Sequence, residues 1–194
     1  MMDAIKKLRD KTSAGIVDCK KALKESGGDI DKAIEILRKR GAVLASKKAG
    51  RTAKEGRIES YIHLGGKIGV LVEVNCESDF VARNDDFKAF VKDIAMQIAA
   101  SSPLYLKKED VPAQAVKKET EIIRAQVTDK PAAAIEKITE GKLNKFFEDI
   151  CLLEQPFIKD ANLKVKDVLT SMIAKIGENI VIKRFARYLL GEEI

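Results

Sequence analysis

One stretch constrains the fold more than any other. Ile68, Val70, Val72 and Val74 alternate with Leu71 and Glu73. A period of two marks a strand with at least one covered face. Further on, Phe87, Phe90, Val91, Ile94, Ala95 and Ile98 have the spacing of an amphipathic helix. Between them lies Asn75-Cys76-Glu77-Ser78-Asp79-Phe80-Val81-Ala82-Arg83-Asn84. Asn84 is placed to cap the helix, and Asp85 and Asp86 suit the dipole of its first turn. The connection sets a carboxylate and a phenyl ring side by side, Asp79 and Phe80. Such a ring has two uses. It is tucked under its own turn, with Ser78 as cap and Val81 as a second anchor, or it is offered to another molecule.

Upstream, Ile58, Ser60 and Ile62 share one face of a strand, and Glu59, Tyr61 and His63 the other. Leu64-Gly65-Gly66 turns the chain back into the 67–75 strand, glycine supplying the positive φ of a tight hairpin. Downstream, residues 103–150 read as two helical pieces. Pro112 stands near the start of the first, Asp129-Lys130-Pro131 breaks them apart, and Pro131 restarts the second. Together they predict a helical hairpin over about 112–147, with Gly141 as a point of weakness or kinking. Cys151–Ile158 reads as an edge strand interrupted by Pro156. A helix follows at about Val165–Lys175, stopped by Gly177, and a last strand runs from Asn179 to Leu189 with Ile180 and Ile182 on one face. These elements predict an α+β core over 57–194, built on an antiparallel three-stranded sheet.

Residues 1–41 predict three short helices. Ile5 and Leu8 mark the first. Ser13 is a cap for the second, which ends at Gly27-Gly28. Asp29 caps the third, with Ala33, Ile34 and Leu37 as its stripe and Gly41 just past its end. At 100° per residue on the second helix, Cys19, Ala22 and Leu23 fall on the core face with Ile16 at its edge. Val17 points away from that face, beside Ile16 and Lys20. It is an ordinary exposed valine, or part of a small apolar patch with one cation suited to a partner helix. Residues 42–56 read as a basic linker, with Lys47, Lys48, Arg51 and Lys54 among Gly50 and Gly56.

The chemistry of the chain excludes several classes. A single histidine, His63, permits no Ser-His-Asp triad and no histidine-rich metal centre within one chain. No phosphate-binding glycine loop or dinucleotide fingerprint occurs. Cys19, Cys76 and Cys151 lie far apart and fit small buried thiols better than a disulfide framework. No run is long enough to cross a bilayer, and the N-terminal residues lack a signal-peptide core, so a cytoplasmic protein is expected. The net charge of +6 admits an acidic partner or nucleic acid. No aromatic residues interleave with the charges of 38–57, so a stacking surface for single strands is not supported.

Three motifs then resemble one family. Leu8-Arg9 with Thr12-Ser13-Ala14-Gly15-Ile16-Val17-Asp18-Cys19-Lys20-Lys21-Ala22-Leu23 resembles the N-terminal signature of translation elongation factor Ts. Asn75 to Ala82 resembles its second signature, and Lys175-Ile176-Gly177-Glu178-Asn179-Ile180 a third. The resemblance implies a non-catalytic guanine-nucleotide exchange factor without cofactor, whose partner is the GTPase elongation factor Tu. It implies no membrane and no direct nucleic-acid contact. The three-helix part would be similar to a ubiquitin-associated domain and would dock through Ile16, Val17 and Lys20. Ser78, Asp79, Phe80 and Val81 would wedge beside the partner's Mg²⁺ and phosphate site, so that GDP leaves. Lys48, His63, Ile176 and Gly177 match further contact positions. Two positions depart from the family pattern: Ser78 stands where threonine is usual, and Ile16-Val17 where two methionines are common. Long members carry two half-cores in one chain, with the counterpart of His63 in the second. Here one core up to Ile194 holds both roles, which implies a homodimer.

Overall fold

The alternating run is the middle strand of the sheet. The computed structural model describes residues 2–12, 14–127 and 131–192. Its helices are α1 (Met2–Thr12), α2 (Ile16–Glu25), α3 (Ile30–Lys48), α4 (Asp79–Ala82), α5 (Asp85–Ser101), α6 (Ala113–Ala125), α7 (Ala132–Ile150) and α8 (Val165–Ile176). Its strands are β1 (Glu55–Ile62), β2 (Ile68–Cys76), β3 (Pro156–Phe157), β4 (Asp160–Lys164) and β5 (Val181–Leu189). The main sheet is antiparallel with order β1-β2-β5. The fold is α+β.

Pleating decides which residues are inside. Val70, Val72 and Val74 point into the core and meet Phe87, Phe90, Val91, Ile94 and Ile98 of α5. The register of β5 shifts between Glu73 and Val74, so that Glu73 faces Arg184 while Val74 faces Ile182. This bulge at Lys183 returns Ile182 to the buried face. Gly56 permits the close approach of β1 to β2: its φ is +144°, and a Cβ there would lie 2.2 Å from the Val74 carbonyl oxygen. The opposite face of the sheet is bare. Ile58, Ile62, Leu71 and Tyr188 are all exposed on it.

A second, smaller cluster holds the N-terminal helices together: Leu8, Cys19, Ala22, Leu23 and Ala33. The face expected from the angular count of α2 is the buried one. Asp29 caps α3 by accepting from the N–H groups of Asp31 and Lys32. The expected cap Ser13 lies outside the described residues, and α2 starts after Gly15 without a side-chain cap.

Four expectations need correction. Helix α3 does not stop at Gly41 but continues to Lys48, so residues 42–48 are helix and not linker. Gly41 is buried where α3 crosses α8, and a Cβ there would touch the Ala174 methyl at 3.5 Å. The glycine serves close helix packing and not a helix end. Residues 151–158 are not an edge strand of the main sheet. The Cys151 N–H closes α7, Leu152–Glu154 form a 3-10 turn, and β3 pairs with β4 in a separate two-stranded ribbon. That arrangement is held by the buried Gln97, which donates to the Pro156 carbonyl and accepts from the Ile158 N–H. The last strand begins at Val181 because Asn179 spends its N–H on Glu77. Finally, α7 passes through Gly141 unbroken. Helices α6 and α7 pack on each other over the expected hairpin span; the Asp129-Lys130 break lies outside the described residues.

Candidate functional site

The ten-residue connection folds as one turn of helix on a fixed base. Ser78 is the N-cap of α4, its hydroxyl oxygen accepting from the Val81 N–H at 3.4 Å. Val81 is buried in the main core and anchors the turn from below. Phe80 is 80% exposed. The ring is not tucked under its own turn: it stands exposed at the tip, and Val81 is the anchor. Asp79 is exposed beside it, paired with Arg83 at 2.7 Å one turn later. Asn84 then caps α5 by accepting from the Asp86 N–H at 2.8 Å.

The base of this turn is a polar lattice drawn from three distant parts of the chain. Glu178, just past α8, accepts from the N–H groups of Glu77 and Ser78 at 3.0 Å each and from the Ser78 hydroxyl at 2.6 Å. Glu77 in turn accepts from the Asn179 N–H at 2.6 Å. Asn179 donates its side-chain amide to the Arg51 carbonyl, and Arg51 reaches Glu77 at 3.4 Å. The Asn179 hydrogen bond and the Arg51 guanidinium outweigh desolvation and hold the Glu77 carboxyl below its ordinary 4.5. Cys76 donates its thiol to the Ser78 carbonyl. Burial and the Glu178 charge push that thiol up to about 11, so it is a packing group and not a nucleophile.

Ile176 and Gly177 lie at the end of α8, where Gly177 adopts φ +82° and turns the chain into Glu178. They are therefore neighbours of the base of the α4 turn. Lys48 ends α3 and contributes to the field on Glu77. His63 lies elsewhere, at the β1–β2 turn, with its ring Nδ1 3.0 Å from the Tyr61 hydroxyl. Ile16 and Val17 are 57% and 63% exposed at the start of α2, next to exposed Lys20. The expected residues thus fall in three places: the α2 patch, the α4 turn with its base, and the hairpin turn. The lattice of Glu178, Glu77, Asn179 and Arg51 has no signal in the sequence pattern, although Glu178 and Asn179 sit inside the third motif.

The exposed ring and carboxylate thus stand on a single turn fixed by buried Val81, the Ser78 cap and the Glu178 carboxylate. The model of the family "Elongation factor TS" matches residues 3–192. The chain is 60% identical over 191 residues to elongation factor Ts of Thermotoga petrophila, covering 98% of this chain and 96% of that one. It is 60% identical over 190 residues to elongation factor Ts of Carboxydothermus hydrogenoformans, covering 97% and 88%. A similar match, 60% over 193 residues, is found with elongation factor Ts of Caldanaerobacter subterraneus subsp. tengcongensis. The chain belongs to the elongation factor Ts family.

Proposed function

We propose that this protein is the guanine-nucleotide exchange factor of elongation factor Tu and works by wedging Phe80 and Asp79 beside the partner's Mg²⁺ and phosphate site. The observation that carries this reading is the ring of Phe80, 80% exposed on a turn whose next residue, Val81, is buried. A large apolar side chain held out on a mount that cannot give way is an anchor for a partner's pocket. Asp79, paired with Arg83 on this chain, brings a carboxylate to a site that binds an anionic nucleotide, where it would repel the phosphates and compete with them for the cation. The exposed pair Ile16 and Val17, with Lys20, forms the docking patch of the N-terminal unit, a ubiquitin-associated-like domain in this reading.

Thermodynamics sets the form of the activity. The factor shifts no equilibrium between GDP and GTP. It binds the nucleotide-free partner more tightly than the loaded one, so by linkage the nucleotide binds less tightly to the complex. No group on this chain needs to make or break a bond. The test is release of labelled GDP from elongation factor Tu in the presence of unlabelled nucleotide. Release should accelerate with added protein, and a rate that stays at the intrinsic value at micromolar protein overturns the reading.

The bare sheet face supports a homodimer. Ile58, Ile62, Leu71 and Tyr188 present an apolar surface on two edge strands and the middle one. Exposed apolar residues on a sheet face, here beside the Glu73–Arg184 ion pair, favour a second sheet laid across it. A pair of cores would let one partner meet Phe80 of one protomer and His63 of the other. Sedimentation at micromolar concentration should give twice 21.4 kDa, and Leu71→Asp should give 21.4 kDa. A wild type that sediments as a single chain contradicts the dimer. In this reading the protein works in the cytoplasm, without membrane or direct nucleic-acid contact.

A further inference from the structure

We infer that Glu178 is the positioning residue of the wedge: its carboxylate sets the angle of the Asp79-Phe80 turn by holding Ser78 and the backbone before it. The inference rests on the wedge reading of Phe80. Helix α4 has four residues. A single turn has no stability of its own, because nucleating a helix fixes several dihedrals for one hydrogen bond. Something outside the turn must therefore fix it. Val81 fixes its depth from below. Its direction is fixed by Glu178. One carboxylate oxygen accepts two consecutive N–H groups, Glu77 and Ser78, at 3.0 Å. The other accepts the Ser78 hydroxyl at 2.6 Å.

The last bond decides how Ser78 can cap. A hydroxyl has one proton and two lone pairs. With its proton committed to Glu178, the oxygen turns a lone pair toward the Val81 N–H. Glu178 thus acts through Ser78 on the turn that carries Phe80. The reciprocal bond, Asn179 N–H to Glu77 at 2.6 Å, locks the two dipeptides Glu77-Ser78 and Glu178-Asn179 against each other. Charge-assisted bonds of this kind are about twice as strong as neutral ones. Both oxygens of Glu178 are engaged by donors of its own chain, so it positions the contact and does not make it. The third motif acquires a role in the same way. Gly177, in the left-handed region at φ +82°, swings the chain so that Glu178 reaches back under the turn.

The test uses full-length Glu178→Ala, Glu178→Gln and Ser78→Ala. Hydrogen exchange is read at the amides of residues 77–82, and GDP release from elongation factor Tu as maximal rate and half-saturating concentration. Glu178→Ala should speed exchange of these amides at least about tenfold, leaving α5 protected. It should lower the maximal rate about tenfold while the half-saturating concentration stays within about twofold, because the α2 patch is untouched. Glu178→Gln keeps an acceptor oxygen for the two N–H groups but turns an NH2 toward the Ser78 hydroxyl, so it should recover only part of both losses. Adding Ser78→Ala to Glu178→Ala should cost little more, since the two act in series. Unchanged exchange at 77–82 in Glu178→Ala overturns the inference, as does a loss confined to the half-saturating concentration. A wild type that fails to accelerate GDP release removes the wedge reading instead, and the exchange data alone then decide whether Glu178 holds the turn.

Discussion

The N-terminal helices and the sheet core solve opposite problems. The first unit buries five apolar residues in its own cluster, against eighteen in the main one, counted among the described residues. A cluster that small stabilises only weakly. Residues 1–56 hold 15 Lys and Arg against 8 Asp and Glu, so the chain's whole positive excess lies there, while residues 57–194 hold 21 against 22. The first unit is basic, marginal and tipped with Ile16 and Val17. The second is neutral, heavily packed and tipped with Phe80. If the first unit captures a partner, an acidic surface there would gain from long-range charge and tolerate softness. Levering a nucleotide site apart needs a mount that does not yield. On the proposed function, the difference would put affinity in one region and rate in the other.

Lesions of similar size in the two regions break the comparison most strongly. Gly56→Ala forces a Cβ to within 2.2 Å of the Val74 carbonyl oxygen in the β1–β2 pairing. It should cost more than about 4 kcal/mol and remove the whole cooperative unfolding transition, docking and exchange together. Leu8→Ala should cost about 2–5 kcal/mol, the range for a buried leucine. Its effect should be confined: hydrogen-exchange protection lost in α1 and α2, retained in β2 and α5, and a maximal exchange rate close to wild type at saturating protein. Loss of the core's protection in Leu8→Ala would show that the two regions fold as one and share their roles.

Surface changes sharpen the same division. Val17→Asp places a carboxylate in the proposed docking patch and should raise the half-saturating concentration roughly tenfold, a change of about 1.4 kcal/mol, with the maximal rate unaltered. The smallest effect concerns pH. The Glu77 carboxyl is held below its ordinary 4.5, chiefly by the Asn179 N–H, so its contribution is complete above that value and fades as pH falls through the lower folded value. Hydrogen exchange at residues 77–82 should therefore quicken below pH 4.5 relative to α5, after correction for the intrinsic rate. Constant relative protection down to about pH 3 would remove Glu77 from the lattice that steadies the turn.

Much of this arrangement is legible in the sequence because it is local. Val70, Val72 and Val74 report a buried strand face by their spacing, Phe87 to Ile98 report a helix face, and the count on α2 places Cys19, Ala22 and Leu23 inwards with Val17 outwards. Gly41 misleads because glycine serves two ends. It stops helices when the next turn has nothing to pack on, and it admits close crossings when it does; only Thr170 and Ala174 of α8 decide between these. Residues 151–158 mislead because Pro156 and an apolar run fit an edge strand as well as a 3-10 turn followed by the two-residue strand of a small ribbon. The bonds from Glu178 to Glu77 and Ser78 cross about a hundred residues of sequence, and no periodicity records such a pair. The motifs on either side of the site are visible in the chain, while the bonds that join them belong to tertiary structure.

The central claim is that rate resides in Phe80 and capture in the α2 patch. It is tested most directly by stopped-flow release of labelled GDP from elongation factor Tu, titrated with wild type and Phe80→Ala. Loss of a central aromatic anchor is worth about 2 kcal/mol or more. The maximal rate with Phe80→Ala should fall about thirtyfold while its half-saturating concentration changes little. A Phe80→Ala protein that reaches the wild-type maximal rate would contradict the claim.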